Sequence, residues 1–302
     1  MRKNTKTNET IERIHNRVKN FVNESDYIGY LKFIKKFRTR SFFNQMLIYI
    51  CKEDAKFVMG YKQWIDKFNR IPVACVICRS LSNKNCECEE RTPPVRIPQL
   101  APITYTKENE NGEEEEKLWF KEVYVYDIED TEHMEGLEVK EVFNDFDMGI
   151  KTVDVEVEFD KLETMLIKII EDNDFKFRYE DITYSETLGG WTDHKLKEIV
   201  CKNNTNDSDK IHTILHEMGH MFAHSEEELP RDKVYRPLVE TEAETIAYVL
   251  ADFLNIDTSC YSIGYIASWS KGNEDILQES VSRITKFANV IMNKIDEQGG
   301  IW

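Results

Sequence analysis

Several things this 302-residue sequence lacks narrow it before anything else does. No apolar run reaches the roughly 18 residues that a membrane-spanning helix needs, so no partner membrane is expected. The opening MRKNTKTNETIERIHNR holds no apolar segment, which argues against a secretory signal there and for a cytoplasmic protein. Seven cysteines, at 51, 75, 78, 86, 88, 201 and 260, are an odd number scattered along a long chain. They fit reduced thiols better than a disulfide framework. No internal repeat is visible. Histidine is scarce as well, with seven in the chain, yet four of them fall between positions 211 and 224.

Those four lie in Ile-His-Thr-Ile-Leu-His-Glu-Met-Gly-His-Met-Phe-Ala-His, which contains His216-Glu217-x-x-His220. A shuffled chain of this composition would hold about 0.02 copies of that pentapeptide. Two histidines four apart share one helix face, so both imidazoles can reach a single tetrahedral ion. Glu217 points to the side where water on a zinc ion would sit. It can take the proton while the metal lowers the water's pKa to about 7. Asn206, Asp207, Ser208 and Asp209 offer N-caps and negative charge at the positive end of the helix dipole. Ile211, Ile214, Leu215, Met218, Met221 and Phe222 recur at helical spacing and predict the buried stripe. Gly219 weakens a helix by about 1 kcal/mol relative to Ala, so its expected use is close approach by another backbone or by substrate. A metzincin would place a third histidine at position 226, which is Glu. His212 and His224 are expected to pack around the site, not to bind metal.

A catalytic zinc needs a third protein ligand and an open position. The best source is the helical stretch Val239–Ala251, entered after Pro237. Alanines at 243, 247 and 251 give it a smooth face that can lie against the first helix. Glu240 and Glu244 are one turn apart. Glu240 is the predicted zinc ligand, as in gluzincins, with Glu244 steadying His216 or His220 from behind. Glu242 reads as solvated.

Charge is unevenly spread. Residues 1–70 carry 16 Lys/Arg against 7 Asp/Glu, a balance of +9, while the other 232 carry 24 against 49, a balance of −25. A basic first segment suits nucleic acid and an acidic remainder repels it. The predicted organisation is α+β: a mixed helix/strand domain over 1–144 and a second domain over 145–302. Helices are expected over 9–23, 25–54, 159–172 and 274–297. Strands are expected over 73–78, 119–127, 176–180 and 196–201. The acidic, hydrophilic tract within 79–117 reads as a mobile loop joining strands 73–78 and 119–127. The 183–201 hairpin predicts a free strand edge to which a substrate backbone can add. Cys75, Cys78, Cys86 and Cys88 are close enough in sequence for a second zinc. A strand reading of 73–78 argues against it, because strand residues three apart point to opposite faces.

The order of these pieces resembles the ArdC-type antirestriction proteins of plasmids and integrative elements. The residues that carry the resemblance are Ser41-Phe-Phe-Asn44 with Leu47-Ile48, Gly60-Tyr61-x-x-Trp64, Arg70, and Val123-Tyr-Val-Tyr-Asp127 with Thr131-Glu132. Further along they are His216-Glu217-x-x-His220, Glu240-x-x-Ala243-Glu244 and Tyr265-Ile-Ala-Ser-Trp269. The second half is also similar to the ImmA/IrrE metallopeptidases. The resemblance implies a single-stranded-DNA-binding N-terminal domain followed by a zincin-like metallopeptidase domain. It departs after Arg70, where relatives carry a Lys-Gly-rich turn and this chain has Ile71-Pro-Val-Ala-Cys-Val-Ile-Cys. DNA contact would then fall to Lys35, Lys36, Arg38 and Arg40 beside Phe42, Phe43 and Tyr49.

Two functions follow. The first is a zinc endopeptidase of a mobile genetic element, with one Zn2+ on His216, His220 and Glu240, Glu217 as catalytic base, and a protein or peptide substrate. The second is a DNA-binding anti-defence protein whose zinc site is structural or vestigial. Tyr184, Tyr235, His194 and Tyr261 are candidates for stabilising the transition state.

Overall fold

A computed structural model describes residue 12 and residues 24–108, 114–140, 158–185, 188–203, 206–225, 227–229, 235–256 and 274–299. The helix expected over 9–23 (Glu12 apart), the domain boundary at 144/145, Tyr261 and the 265–269 motif lie outside them. The described chain mixes helices with three small sheets and divides into two compact units. Among the described residues, no helix is long and apolar enough to cross a membrane.

The first unit holds described residues 40–140. Its elements are α2 (Phe42–Cys51), β1 (Val58–Gly60), α3 (Tyr61–Phe68), β2 (Arg70–Pro72), β3 (Ile97–Glu108), β4 (Glu114–Asp127) and β5 (Thr131–His133). One sheet runs β1-β4-β3 and a second pairs β2 with β5, all antiparallel. β4 includes the expected strand, but its partner is β3 and not 73–78. The tract predicted as a mobile loop therefore supplies paired strand on its C-terminal side, the twelve residues of β3 and the first four of β4. Pro98 and Pro102 disguise β3 in the sequence. They are tolerated because β3 is an edge strand, where a missing N–H leaves no ladder bond unmade. Residues 73–78 are not a strand: positions 76–78 form a turn.

The motifs of this half are structural. Asp127 accepts the backbone N–H groups of Lys56 and Phe57 at 3.0 and 2.9 Å, and the Lys52 ammonium lies 3.4 Å from its other oxygen. Trp64 is buried and donates to the Tyr126 carbonyl at 3.0 Å. Arg70 donates to the Thr131 hydroxyl and carbonyl at 2.8 and 2.7 Å. Asn44 grips both backbone groups of Leu100.

The second unit contains α1 (Glu24–Ile34), α4 (Phe159–Glu171), β6 (Lys176–Glu180), β7 (Gly190–Asp193), β8 (Glu198–Lys202), α5 (Asp207–Ala223), α6 (Arg236–Phe253) and α7 (Glu274–Glu297). The helix expected over 25–54 is therefore broken. It stops at Ile34, passes through a short 3-10 turn, and restarts at Phe42 after extended Ser41. Residues 24–39 cluster with this unit, so the compact units do not follow a single cut near 144. Tyr30 explains the grouping, since it is fully buried with its hydroxyl 3.1 Å from that of Thr285 in α7. The sheet order is β6-β8-β7, with β6 parallel and β7 antiparallel to β8. This places β7 at an edge, beside α5.

A candidate metal centre between two helices

α5 begins where the sequence allows: Asn206 caps it by accepting the Asp209 N–H at 2.9 Å, with Asp207 and Asp209 in the first turn. Its stripe of Ile211, Ile214, Leu215 and Met218 is buried to 1% exposure or less, as the periodicity predicts. Gly219 faces α6. A Cβ there would lie 3.2 Å from both Cα and O of Ala243, so the absent side chain lets the helices meet backbone to backbone. Ala243, Ala247 and Ala251 are fully buried, in keeping with the smooth face read from the sequence.

This close packing sets His216, His220 and Glu240 around one point. The two Nε2 atoms are 3.1 Å apart, and Glu240 Oε2 lies 3.5 Å from the first and 3.4 Å from the second. A tetrahedral ion with bonds of about 2.0–2.2 Å separates neighbouring donors by about 3.3–3.5 Å. The two edges to Glu240 fall in this range, and the edge between the imidazoles, at 3.1 Å, is about 0.2 Å shorter.

The surrounding hydrogen bonds fix the tautomers. His216 Nδ1 lies 3.0 Å from Glu244 Oε2 and donates to it, leaving the Nε2 lone pair free. His224 Nε2 faces the Glu242 carboxylate at 2.9 Å and donates, so its Nδ1 accepts from His220 Nδ1 at 3.0 Å. His220 Nε2 is then a lone pair as well. Two lone pairs aimed at each other beside a carboxylate can be satisfied by a cation between them, and the donor set fits a zinc ion. With only protons available, burial opposes charging His216, but Glu240 and Glu244 prevail and lift it to about 9. The same two histidines hold Glu240 well below the usual carboxylate range. Burial would raise Glu244, yet its bonds to His212 and His216 bring it down to about 2.

Glu217 is buried at 4% exposure, and burial raises its pKa against the pull of His216 and His220. Thr192 Oγ1, on β7, lies 2.7 Å from Glu217 Oε2 and 3.0 Å from the Glu217 carbonyl, and can donate to either. The site opens into a cleft of about 820 Å³, lined by residues from the 188–194 hairpin, α5 and the first turns of α6. Gly190 keeps that hairpin close, since a Cβ would sit 2.6 Å from the Val200 carbonyl.

Several expectations change. Glu242, read as solvated, is 2% exposed and lies 3.0 Å from the Arg283 guanidinium as well as bonding His224. Glu244 steadies His216 and also His212, at 3.0 Å. Among the described transition-state candidates, His194, Tyr184 and Tyr235, only His194 lines the cleft. Its Nε2 faces the His220 carbonyl at 3.1 Å and burial lowers its pKa, so its one proton is already committed. Tyr184 is 69% exposed, and neither it nor Tyr235 lines the cleft. Thr192 was missed, because only the pairing of β7 with β8 turns it toward α5. Arg236, exposed at the mouth with Nε 3.8 Å from Glu240 Oε1, was missed as well.

Three of the four nucleic-acid candidates have partners within the fold. Lys35 pairs with Asp252 at 2.6 Å, Arg38 pairs with Asp296 and stacks over Phe253, and Arg40 donates to the Val58 carbonyl. Lys36 is half-buried. Phe42 and Tyr49 are buried, so neither offers a face for a base to stack on.

No family model matches the chain. Over 108 residues it is 29% identical to an uncharacterized protein of Bacillus anthracis, a stretch covering 35% of this chain and 18% of that protein. Two solved structures are similar to it, both of the antirestriction protein ArdC from plasmid R388. The metal-free form is 13% identical with a TM-score of 0.47, covering 85% of each chain. The Mn(II)-bound form is 12% identical with a TM-score of 0.45, covering 84% of each.

Proposed function

We propose that this protein is a zinc-dependent endopeptidase of the gluzincin type, with a zincin-like second unit. His216, His220 and Glu240 hold the ion, and Glu217 is the catalytic base. The observation that carries this reading is the triangle of Nε2, Nε2 and Oε2 atoms, with edges of 3.1, 3.4 and 3.5 Å, open on one side to the cleft. A zinc ion there supplies Lewis acidity toward the scissile carbonyl and makes water a usable nucleophile near neutral pH.

The remaining chemistry belongs to side chains. Glu217 takes a proton from the attacking water as the new C–O bond forms. It passes that proton to the leaving amine as the C–N bond breaks, and ends as it began. Thr192 holds one carboxylate oxygen of Glu217 and leaves the other for the proton. The edge of β7 offers unpaired backbone groups beside the cleft, where an extended peptide can add as a further strand. The antirestriction setting on a mobile element rests on the sequence motifs shared with ArdC-type proteins. The engaged state of Lys35, Arg38 and Arg40 disfavours the alternative in which the chain works only by binding DNA.

The Glu217→Gln variant tests the reading on a quenched-fluorescent peptide library. Zinc content is expected to stay at the wild-type level while cleavage falls at least a thousandfold. Cleavage at the wild-type rate would remove Glu217 from the reaction.

A further inference from the structure

We propose a second metal site, a structural zinc held by four thiolates from Cys75, Cys78, Cys86 and Cys88. All four Sγ atoms lie within 4.8 Å of one another. Cys75 and Cys88 are 3.8 Å apart, and Cys78 and Cys86 are 3.7 Å apart. A disulfide would bring a pair to about 2.05 Å. Tetrahedral zinc with Zn–S bonds of about 2.3 Å spaces neighbouring sulfurs at about 3.8 Å, which is the spacing of these two pairs.

The backbone around the first pair has the shape of a metal knuckle. Residues 76–78 turn, the Ala74 N–H reaches across to the Ser80 carbonyl at 2.6 Å, and Arg79 closes the turn at φ +60°. This turn points Cys75 and Cys78 to the same side, which removes the objection raised by a strand reading.

Packing supplies an independent argument. None of residues 76–96 is buried, and their regular structure is one 3-10 turn at Asn83–Asn85. Ordering so many residues costs conformational entropy that apolar burial would normally offset, and here no side chain is buried to offset it. Arg79 anchors one end, donating to Glu132 at 2.7 Å and to the Thr131 carbonyl at 2.8 Å. Beyond that, the Val76 N–H donates to the Thr92 carbonyl at 2.8 Å and Arg96 stacks over Tyr124, and the four cysteines draw the rest of the segment together. A metal there would hold this excursion in place between β2 and β3, as zinc does for segments too small to build a core.

The test uses the full-length chain purified under reducing conditions, with metal content measured for His216→Ala and for the pair Cys78→Ser/Cys86→Ser. His216→Ala is expected to keep one zinc per chain, and cobalt exchanged into it should give an intense sulfur-to-metal charge-transfer band. The Cys78→Ser/Cys86→Ser chain should lose that band. Should the serine variant fail to fold, the wild-type chain still decides. Four thiols are expected to resist a thiol reagent until a strong chelator is added, and then to react. Four thiols that react at once without chelator, iron in place of zinc, or a mass lower by two disulfides would each overturn the site.

Discussion

Each histidine of the candidate centre has one ring nitrogen turned to the common point, and a neighbour engages the other. Glu244 takes the Nδ1 proton of His216, while His224, oriented by buried Glu242, takes that of His220. Both Nε2 lone pairs are thereby presented to the same point. Thr192 does the same for Glu217. A hydrogen bond to a charged group is worth about 1.5–3 kcal/mol, and its loss leaves a buried carboxylate free to swing. Thr192→Val is therefore expected to lower kcat about tenfold, with KM and zinc content unchanged and Thr192→Ser restoring the rate. An unaltered kcat would show that the contact positions nothing. That His216 and His220 point to one place was legible in the sequence, because i, i+4 spacing on a helix fixes which residues share a face. Thr192 and the roles of Glu242 and His224 were not, since they depend on which strand and which helix arrive opposite.

For helices and strands, the closest contact matters most. α5 and α6 touch at Gly219 and Ala243, and that approach brings Glu240 to the two histidines. Gly219→Val adds three carbons against the α6 backbone and is expected to cost about 1–3 kcal/mol in urea unfolding while weakening zinc retention. Wild-type stability with wild-type zinc affinity would mean the helices can separate without consequence. In the first unit, Lys52 bridges the buried Asp127 and Asp130. Burial opposes its charge, but Asp130 and Asp127 outweigh this and raise its pKa above the ordinary 10.5. A raised pKa stabilises the fold fully below the ordinary value, and the benefit fades as pH climbs through the folded one. The stability difference between wild type and Lys52→Gln is thus expected to be larger at about pH 9 than at about pH 11.5, compared by urea unfolding. A difference that grew with pH would reverse the sign.

Reading these elements from sequence failed in instructive places. The Val-Ala-Cys-Val-Ile-Cys run looks like a strand because β-branched residues dominate it, yet it turns, consistent with thiol positions outweighing local propensity. β3 was hidden by prolines that only an edge strand accepts. The ion pairs of Lys35 and Arg38 could not be read from the basic run 32–40, because their partners Asp252 and Asp296 lie more than two hundred residues away.

Across the whole molecule, part of the uneven charge is met within the fold. Part of the basic N-terminal segment pairs with acidic residues of the second unit, so a share of the +9 balance is neutralised within the fold. What the chain then presents is a cleft lined by His216, His220 and Glu240 in one unit and a four-cysteine excursion in the other. Anomalous diffraction at the zinc absorption edge, from crystals of the native full-length chain, examines the cleft most directly. A peak within about 2.0–2.2 Å of His216 Nε2, His220 Nε2 and a Glu240 oxygen, with solvent as the fourth neighbour, is the expected result. No peak at that point, or a fourth protein side chain closing the ion off, would contradict hydrolysis at this site.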